Sequence, residues 1–272
     1  MYGGLAIFRC EPNLWDSKDK DRLPQSPGHS DSDRACPRSE RRIEGIVFDV
    51  DGTLYHALPL RFGMTALLAA AMLINPLTMM EKLKIIRCFR KAQEVLRSAG
   101  TASSGSCDRQ ILLAAKMAAV SSEMVTDVVS EWFYKRPLPL LPRCRRRGLQ
   151  EVFRRLQGQG LTLGVFSDYP AEEKIEALGI AQWVSVLVSS CDPDVSGFKP
   201  HSTGFVTAAK KMGIDPERIL YVGDRPEVDG KGAAAAGMEV AILDRGGLFS
   251  RDHSYPAVSS LKEIVEVVNR HG

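Results

Sequence analysis

Asp49 and Asp51, separated by Val50 and followed by Gly52-Thr53, are two carboxylates at the end of a short apolar run, Ile46-Val47-Phe48. That run suits a strand buried on both faces. In extended backbone alternate side chains share a face, so both acids are expected to point beyond the strand's carboxyl end while Val50 enters the core. Carboxylates this close repel unless a cation or a shared proton holds them, and an all-oxygen donor set points to a hard divalent ion, most naturally Mg²⁺. The plain alternative is a glycine-containing turn with solvated aspartates.

Three further clusters fall at the ends of apolar runs. LTLGVFS ends at Ser167-Asp168, with Pro170 expected to open a helix. A serine hydroxyl there, backed by the free N–H groups of a first helical turn, makes an anion cradle; equally, Ser167 or Asp168 caps the helix. Lys199 lies in Gly197-Phe198-Lys199-Pro200, where Pro200 stiffens the backbone and is expected to start the next helix. Such a lysine is a point charge for phosphate, although any single lysine is more often solvated. RILYVG ends at Gly223-Asp224, with Asp229 across the following turn. The pair can ligate a metal, or Asp229 can cap a helix.

The elements that position these residues follow from hydrophobic periodicity. After the first strand, LRFGMTALLAAAML, LTMMEKLKIIRCFRKAQEVLRSA, ILLAAKMAAV and SEMVTDVVSEWFYK place apolar residues at helical spacing. The first is apolar nearly all round, so neighbours or a partner are expected to cover it. From Arg145 onward helices alternate with the strands LTLGVFS, VSVLVSS, RILYVG and MEVAIL, the pattern of a parallel sheet covered on both faces. The expected organisation is an α/β Rossmann-like core from 43–56 and 145–272, with an all-helical insertion at 57–144. Residues 1–42, rich in Ser, Asp, Lys, Arg and Pro, read as a disordered tail. The run Arg143, Arg145, Arg146, Arg147 reads as a solvated helix start.

Composition bounds the function. The chain has 272 residues, 44% hydrophobic and 25% charged, with a net charge of +3, which suits a soluble globular protein and is too weakly basic for a dedicated nucleic-acid binder. The 6 cysteines show no C-x-x-C pair, so no zinc or redox motif is read and a reduced, cytoplasmic chain is the simpler expectation. Met64 to Leu77 is interrupted by Thr65, Asn75 and Pro76, so no membrane span is expected. Oligomeric state is not legible.

Taken in order, DVDGT at Asp49 to Thr53, the serine of VFSD at Ser167, the lysine of GFKP at Lys199 and GDRPEVD at Gly223 to Asp229 resemble the haloacid dehalogenase superfamily of hydrolases. The resemblance covers Ile43 to the C-terminus and makes the helical insertion look like that family's cap. It implies that Asp49 is the nucleophile forming an aspartyl-phosphate and Asp51 the general acid and base. It further implies that Ser167 and Lys199 hold phosphoryl oxygens, and that Asp224, a carboxylate oxygen of Asp49 and the backbone carbonyl of Asp51 hold Mg²⁺, with Asp229 assisting. The acid two residues after the nucleophile favours phosphate-ester cleavage over dehalogenation. Asp168 departs from the commoner Asn and is expected to cap the helix or touch a substrate hydroxyl or amine. The expected partner is a small phosphorylated metabolite, phosphoglycolate- or sugar-phosphate-like. A phosphotransferase or mutase, or a phosphate- or partner-binding module without turnover, uses the same residues.

Overall fold

A computed structural model describes residues 42–100, 105–243 and 255–270. The expected tail falls at residues 1–42, of which all but Arg42 lie outside the described residues, Cys10 and Cys36 among them. The described part belongs to one compact unit, Glu40–Gly272. Strands β1 (Gly45–Phe48), β2 (Thr162–Ser167), β3 (Val186–Ser189), β4 (Ile219–Gly223), β5 (Glu239–Leu243) and β6 (Ala257–Val258) form a 6-stranded sheet in the order β3-β2-β1-β4-β5-β6. Every pairing is parallel. β6 is too short to carry a periodicity and went unread in the sequence. The chain steps from β1 to one side and then returns to the other, so the end of β1 opens at the point where strand order reverses, where crevices form in such sheets.

Alternation along β1 splits the core into two layers. Ile46 and Phe48 join Leu149, Val152, Phe153 and Leu156 of α6 (Leu149–Gly158) and Ile264 and Val268 of α10 (Leu261–Arg270). Val47 joins Phe166, Tyr221 and Phe205 of α8 (Thr203–Met212) on the opposite face. Helices α7 (Glu172–Ala177) and α9 (Lys231–Ala235) complete the wrapping.

Between β1 and β2 come α1 (Ala57–Ile74), α2 (Pro76–Ala99), α3 (Ser106–Ala118), α4 (Ser122–Val129), a π-helical turn Ser130–Lys135 and the short α5 (Leu141–Cys144). Asn75 caps α2 by accepting the Thr78 N–H at 3.2 Å, with Pro76 in the first turn. This cap has its own apolar centre of Ile85, Phe89, Ala114, Val125 and Trp132. Two adjacent crossings join it to the core. Tyr55 pairs with Arg145 in an antiparallel bridge, His56 N–H donates to Cys144 O at 2.8 Å, and Arg146 N–H donates to Leu54 O at 3.1 Å.

Several expectations need correction. No residue of α1 is buried; Phe62 is 74% and Leu73 87% exposed, so its neighbours cover only part of it. At 18 residues with Arg61 its sole charge, α1 also has the length and composition of a membrane-crossing helix, although its two ends return into one unit and α2 packs on it. Pro170 and Pro200 precede the first helical residues Glu172 and Thr203 by more than one position, so neither opens its helix. Arg145 and Arg146 are half-buried, donating to Leu178 O at 3.1 Å and Gly52 O at 2.8 Å, and pin the loops beneath the cap instead of sitting in water. The expectation of reduced cysteines fails for one pair: Cys107 and Cys191 form a disulfide between the cap and the core, leaving Cys88 and Cys144 as free thiols among the described residues.

Candidate active site

β1 stops at Phe48, and the chain turns at once. Thr53 and Leu54 N–H groups both donate to Val50 O, at 3.3 and 3.1 Å, and Gly52 takes a φ of 100°, which only glycine adopts without strain. This turn, and not continued strand alternation, separates the two acids. Asp49 is buried and Asp51 stands at the mouth with its side chain 42% exposed. Val50 is fully buried, as its place between them requires.

Asp49 is held from three sides. Its N–H donates to Val222 O at 2.9 Å, Thr53 Oγ1 donates to Oδ2 at 3.0 Å, and Lys199 Nζ donates to Oδ1 at 2.5 Å. Lys199, only 2% exposed, also donates to Tyr221 OH at 2.9 Å and Asp229 Oδ1 at 3.0 Å. Asp229 Oδ2 accepts the N–H groups of Asp224 and Arg225 at 3.3 and 3.2 Å, so it is built into the turn after β4 and caps no helix. A Cβ at Gly223 would lie 2.4 Å from the Asp229 Cβ, so glycine is what lets this acid close on the strand end. Gly223→Ala is therefore expected to cost about 1–3 kcal/mol by overpacking and to loosen Asp229 from Lys199. Urea unfolding checks the first effect, and an unchanged midpoint would refute it.

Ligand atoms of Asp49, Asp224 and Asp229 lie within 4.8 Å of one another, and all three residues are buried. This donor set suits a hard cation: three buried carboxylates lie together, and Lys199 bridges two of them, Asp49 and Asp229. Burial pushes the Asp49 carboxyl from 3.8 up to about 7; Lys199 opposes the rise, while Asp229 and Asp51 reinforce it. For Lys199 burial works against the charge, but Asp229 and Asp49 outweigh it and raise its ammonium well above the usual range.

Asp51 has its own partners. Lys174 Nζ from α7 donates to both carboxylate oxygens at 2.7 and 2.9 Å, and Tyr55 OH donates to Oδ1. Desolvation by the surrounding walls disfavours its charge even at the mouth, yet Lys174 and Tyr55 prevail and hold the carboxyl below its ordinary value. The two acids thus occupy opposite electrostatic settings.

Ser167 is buried at the end of β2, next to the end of β1 by the pairing of Phe48 with Val165, and its Oγ accepts the Tyr169 N–H at 3.4 Å. α7 takes no side-chain cap from Ser167 or Asp168. Asp168 instead ties the cap to the core. Oδ2 accepts Arg97 Nη2 at 2.7 Å and Gln93 Nε2 at 3.1 Å from α2, and Oδ1 accepts Lys199 N–H at 3.0 Å and Ser190 Oγ at 3.2 Å. Arg97 Nε reaches Lys199 O at 2.7 Å. Phe89, Gln93 and Arg97 recur at four-residue spacing and so share one helical face, on which Phe89 stacks on Tyr169 at 5.8 Å.

The structure therefore gathers Asp49, Lys199, Asp224 and Asp229, places Ser167 and Asp51 at the rim, and turns Asp168 toward Arg97. Sequence reasoning missed Lys174, Tyr221, Arg97 and Gln93 altogether. Only Lys174 carried a hint, as a cation on the helix leading away from Ser167; the others have no local signature.

A carboxylate at the central strand's end, a buried lysine and further acids from the loop after a neighbouring parallel strand lie together beside an inserted helical cap, the layout of a hydrolase built on a Rossmann-like sheet. The chain belongs to the haloacid dehalogenase-like hydrolases, whose family model matches residues 43–237. It is 28% identical over 216 residues to glyceraldehyde 3-phosphate phosphatase of Methanopyrus kandleri, covering 75% of this chain and 85% of that protein. N-acetylmuramic acid 6-phosphate phosphatase of Pseudomonas aeruginosa is 27% identical over 241 residues, covering 84% of this chain and 96% of that protein. The crystal structure of 2-haloacid dehalogenase from Pseudomonas syringae shares the fold, with a TM-score of 0.61 at 22% identity over 85% of this chain and 100% of that one.

Proposed function

We propose that this chain is a Mg²⁺-dependent phosphatase that hydrolyses a small phosphorylated metabolite, phosphoglycolate- or sugar-phosphate-like, through an aspartyl-phosphate on Asp49. The observation that carries the reading is the contrast between the two acids: Asp49 buried against Lys199 and Thr53, Asp51 two residues on, at the mouth and charged against Lys174. A dehalogenase has no need of the second acid. Relatives named as phosphatases of small phosphate esters support the same chemistry.

In the first half-reaction an Asp49 oxygen attacks phosphorus and the ester P–O bond breaks. The leaving oxygen takes a proton from Asp51 and departs as an alcohol. Asp51 rests ionised, and the approaching phosphate dianion raises its pKa by like-charge repulsion, so the acid form arises when substrate is present. In the second half-reaction water attacks phosphorus, Asp51 takes its proton, and inorganic phosphate leaves with the Asp49 carboxylate restored. Lys199 holds the phosphoryl charge, and Ser167 together with backbone N–H groups holds its oxygens. An Asp49 oxygen, the Asp51 carbonyl and Asp224 would hold the metal, with Asp229 behind them because its oxygens already serve Lys199, Tyr221 and the turn. Mg²⁺ bound there supplies positive charge that offsets the phosphoryl oxygens. The cap closed over the site excludes water and favours small substrates.

Metal affinity is expected to depend on pH with a definite sign. A carboxyl raised from 3.8 to about 7 binds its proton more tightly folded than unfolded, so through this group the metal-free protein loses stability as pH rises across that window. A cation must displace the same proton, so affinity falls as pH drops below about 7 and binding releases up to one proton. Calorimetry in buffers of different ionisation enthalpy reads that release, and a pH-independent affinity would contradict it.

The function itself is tested by phosphate release from a panel of small phosphate esters with and without Mg²⁺. Turnover confined to the metal-containing arm is the expected result. No turnover on any ester would overturn the reading, and label passing to a second sugar instead of water would make the enzyme a phosphotransferase.

A further inference from the structure

We propose that the Cys107–Cys191 disulfide is a redox lock: oxidised, it pins the cap over Asp49 and suppresses turnover, and reduction by a dithiol frees the cap to open. The effect on turnover rests on the phosphatase reading above.

The lock's position carries the inference. Cys107 lies in the first turn of α3 in the cap, and Cys191 lies in the turn after β3 in the core, 84 residues away in sequence with Cα atoms 5.2 Å apart. Among the described residues the chain itself crosses between cap and core only beyond β1, where the Tyr55–Arg145 bridge holds both crossings together. That pair of crossings is the hinge. β3 is two positions from β1 in the sheet, roughly 10 Å at ordinary strand spacing. A cap swinging about the hinge must separate from the core at that distance, and a covalent bond there forbids it.

Without the bond, closure on this side rests on breakable contacts. Arg97 and Gln93 grip Asp168, Arg97 also grips Lys199 O, and Ser190, the residue before Cys191, joins the same carboxylate. Charge-assisted hydrogen bonds of this kind form and break within a catalytic cycle. The disulfide turns the same closure into a permanent one, shutting substrate out and product in.

Both sulfurs belong to half-buried residues, so a small dithiol can reach them. Its thiolate attacks Cys191 Sγ, the S–S bond breaks, and Cys107 leaves as a thiolate favoured by the α3 N-terminus. The second dithiol sulfur then attacks the mixed disulfide, closing a cyclic disulfide and releasing the Cys191 thiol. Two electrons and two protons pass from the dithiol to the chain.

The test uses the full chain, oxidised with diamide or reduced with dithiothreitol, with maleimide labelling and mass measurement to report which cysteines are free. Oxidised protein should protect Cys107 and Cys191, hydrolyse an aryl phosphate about tenfold or more slowly than reduced protein, and show slower amide exchange in α2 and in residues 189–192. Cys107→Ser should match the reduced enzyme and ignore dithiothreitol; Cys191→Ser is the second variant should the first fail to fold. Equal rates and equal exchange in the two forms, or both cysteines labelled after oxidation, overturn the proposal. If no form hydrolyses the ester while exchange still differs, the lock on the cap stands and the phosphatase reading falls.

Discussion

Replacing Asp49 by Asn is expected to lower phosphate-ester hydrolysis roughly 10⁴-fold or more while leaving the fold intact. The amide is isosteric, but its nitrogen is no nucleophile and its oxygen cannot form a stable acyl-phosphate. Structure survives because the replaced group is costly as a charge. Burial already pushes this carboxyl to about 7, and the amide oxygen still accepts from Lys199 while the amide nitrogen can donate to Thr53 Oγ1. Phosphate release together with thermal melting separates the two effects. Acid-quenched wild-type protein should carry one acyl-linked phosphate and the variant none. Near-normal turnover in a folded Asp49→Asn protein would remove Asp49 from the chemistry.

Lys199→Met should damage both stability and rate. Its ammonium is the buried counter-charge of Asp49 and Asp229, and removing one partner of such a cluster costs about 3–5 kcal/mol. In a domain of this size that lowers Tm by about 10 °C. The loss should shrink as pH falls, because Lys199 holds the Asp49 proton affinity down and without it Asp49 takes up its proton more readily and sheds its charge. Added Mg²⁺ should restore part of the stability, since a divalent cation among the same oxygens replaces the missing charge. The rate should fall about 10²- to 10³-fold with or without metal, for a stabiliser of phosphoryl charge is gone. Differential scanning fluorimetry from pH 5 to 8, with and without Mg²⁺, reads the pattern; a Tm unchanged at pH 8 would show that Lys199 is not the counter-charge.

Both experiments concern residues that stand out in the sequence without any fold. Asp49, Asp51, Ser167, Asp224 and Asp229 follow apolar runs closely and Lys199 lies in the loop beyond one, and parallel strands deliver the residues past their carboxyl ends to one rim of the sheet. The layered core was legible for the same reason: near-continuous apolar strands and helices with one apolar stripe can satisfy themselves only as a covered parallel sheet. Where expectation missed, the cause was local or long-range geometry. Asp51 was placed by alternation, but the turn beginning at Val50 carries it to Lys174. Asp168 was read as cap or substrate contact, but α2, 71 residues earlier in the chain, supplies the Arg97 that occupies it. The cysteines were read as reduced from their spacing, which says nothing about residues 84 positions apart.

The order of apolar runs and acids by itself determined the α/β class and the strand ends at which the acids gather, because strand burial and residue type are local properties. Only the tertiary structure decided that the proton affinities of Asp49 and Asp51 are pushed in opposite directions, which side chains tie the cap to the core, and that Cys107 meets Cys191. Those outcomes depend on groups far apart along the chain approaching within hydrogen-bond or covalent distance, and packing alone sets which of them meet.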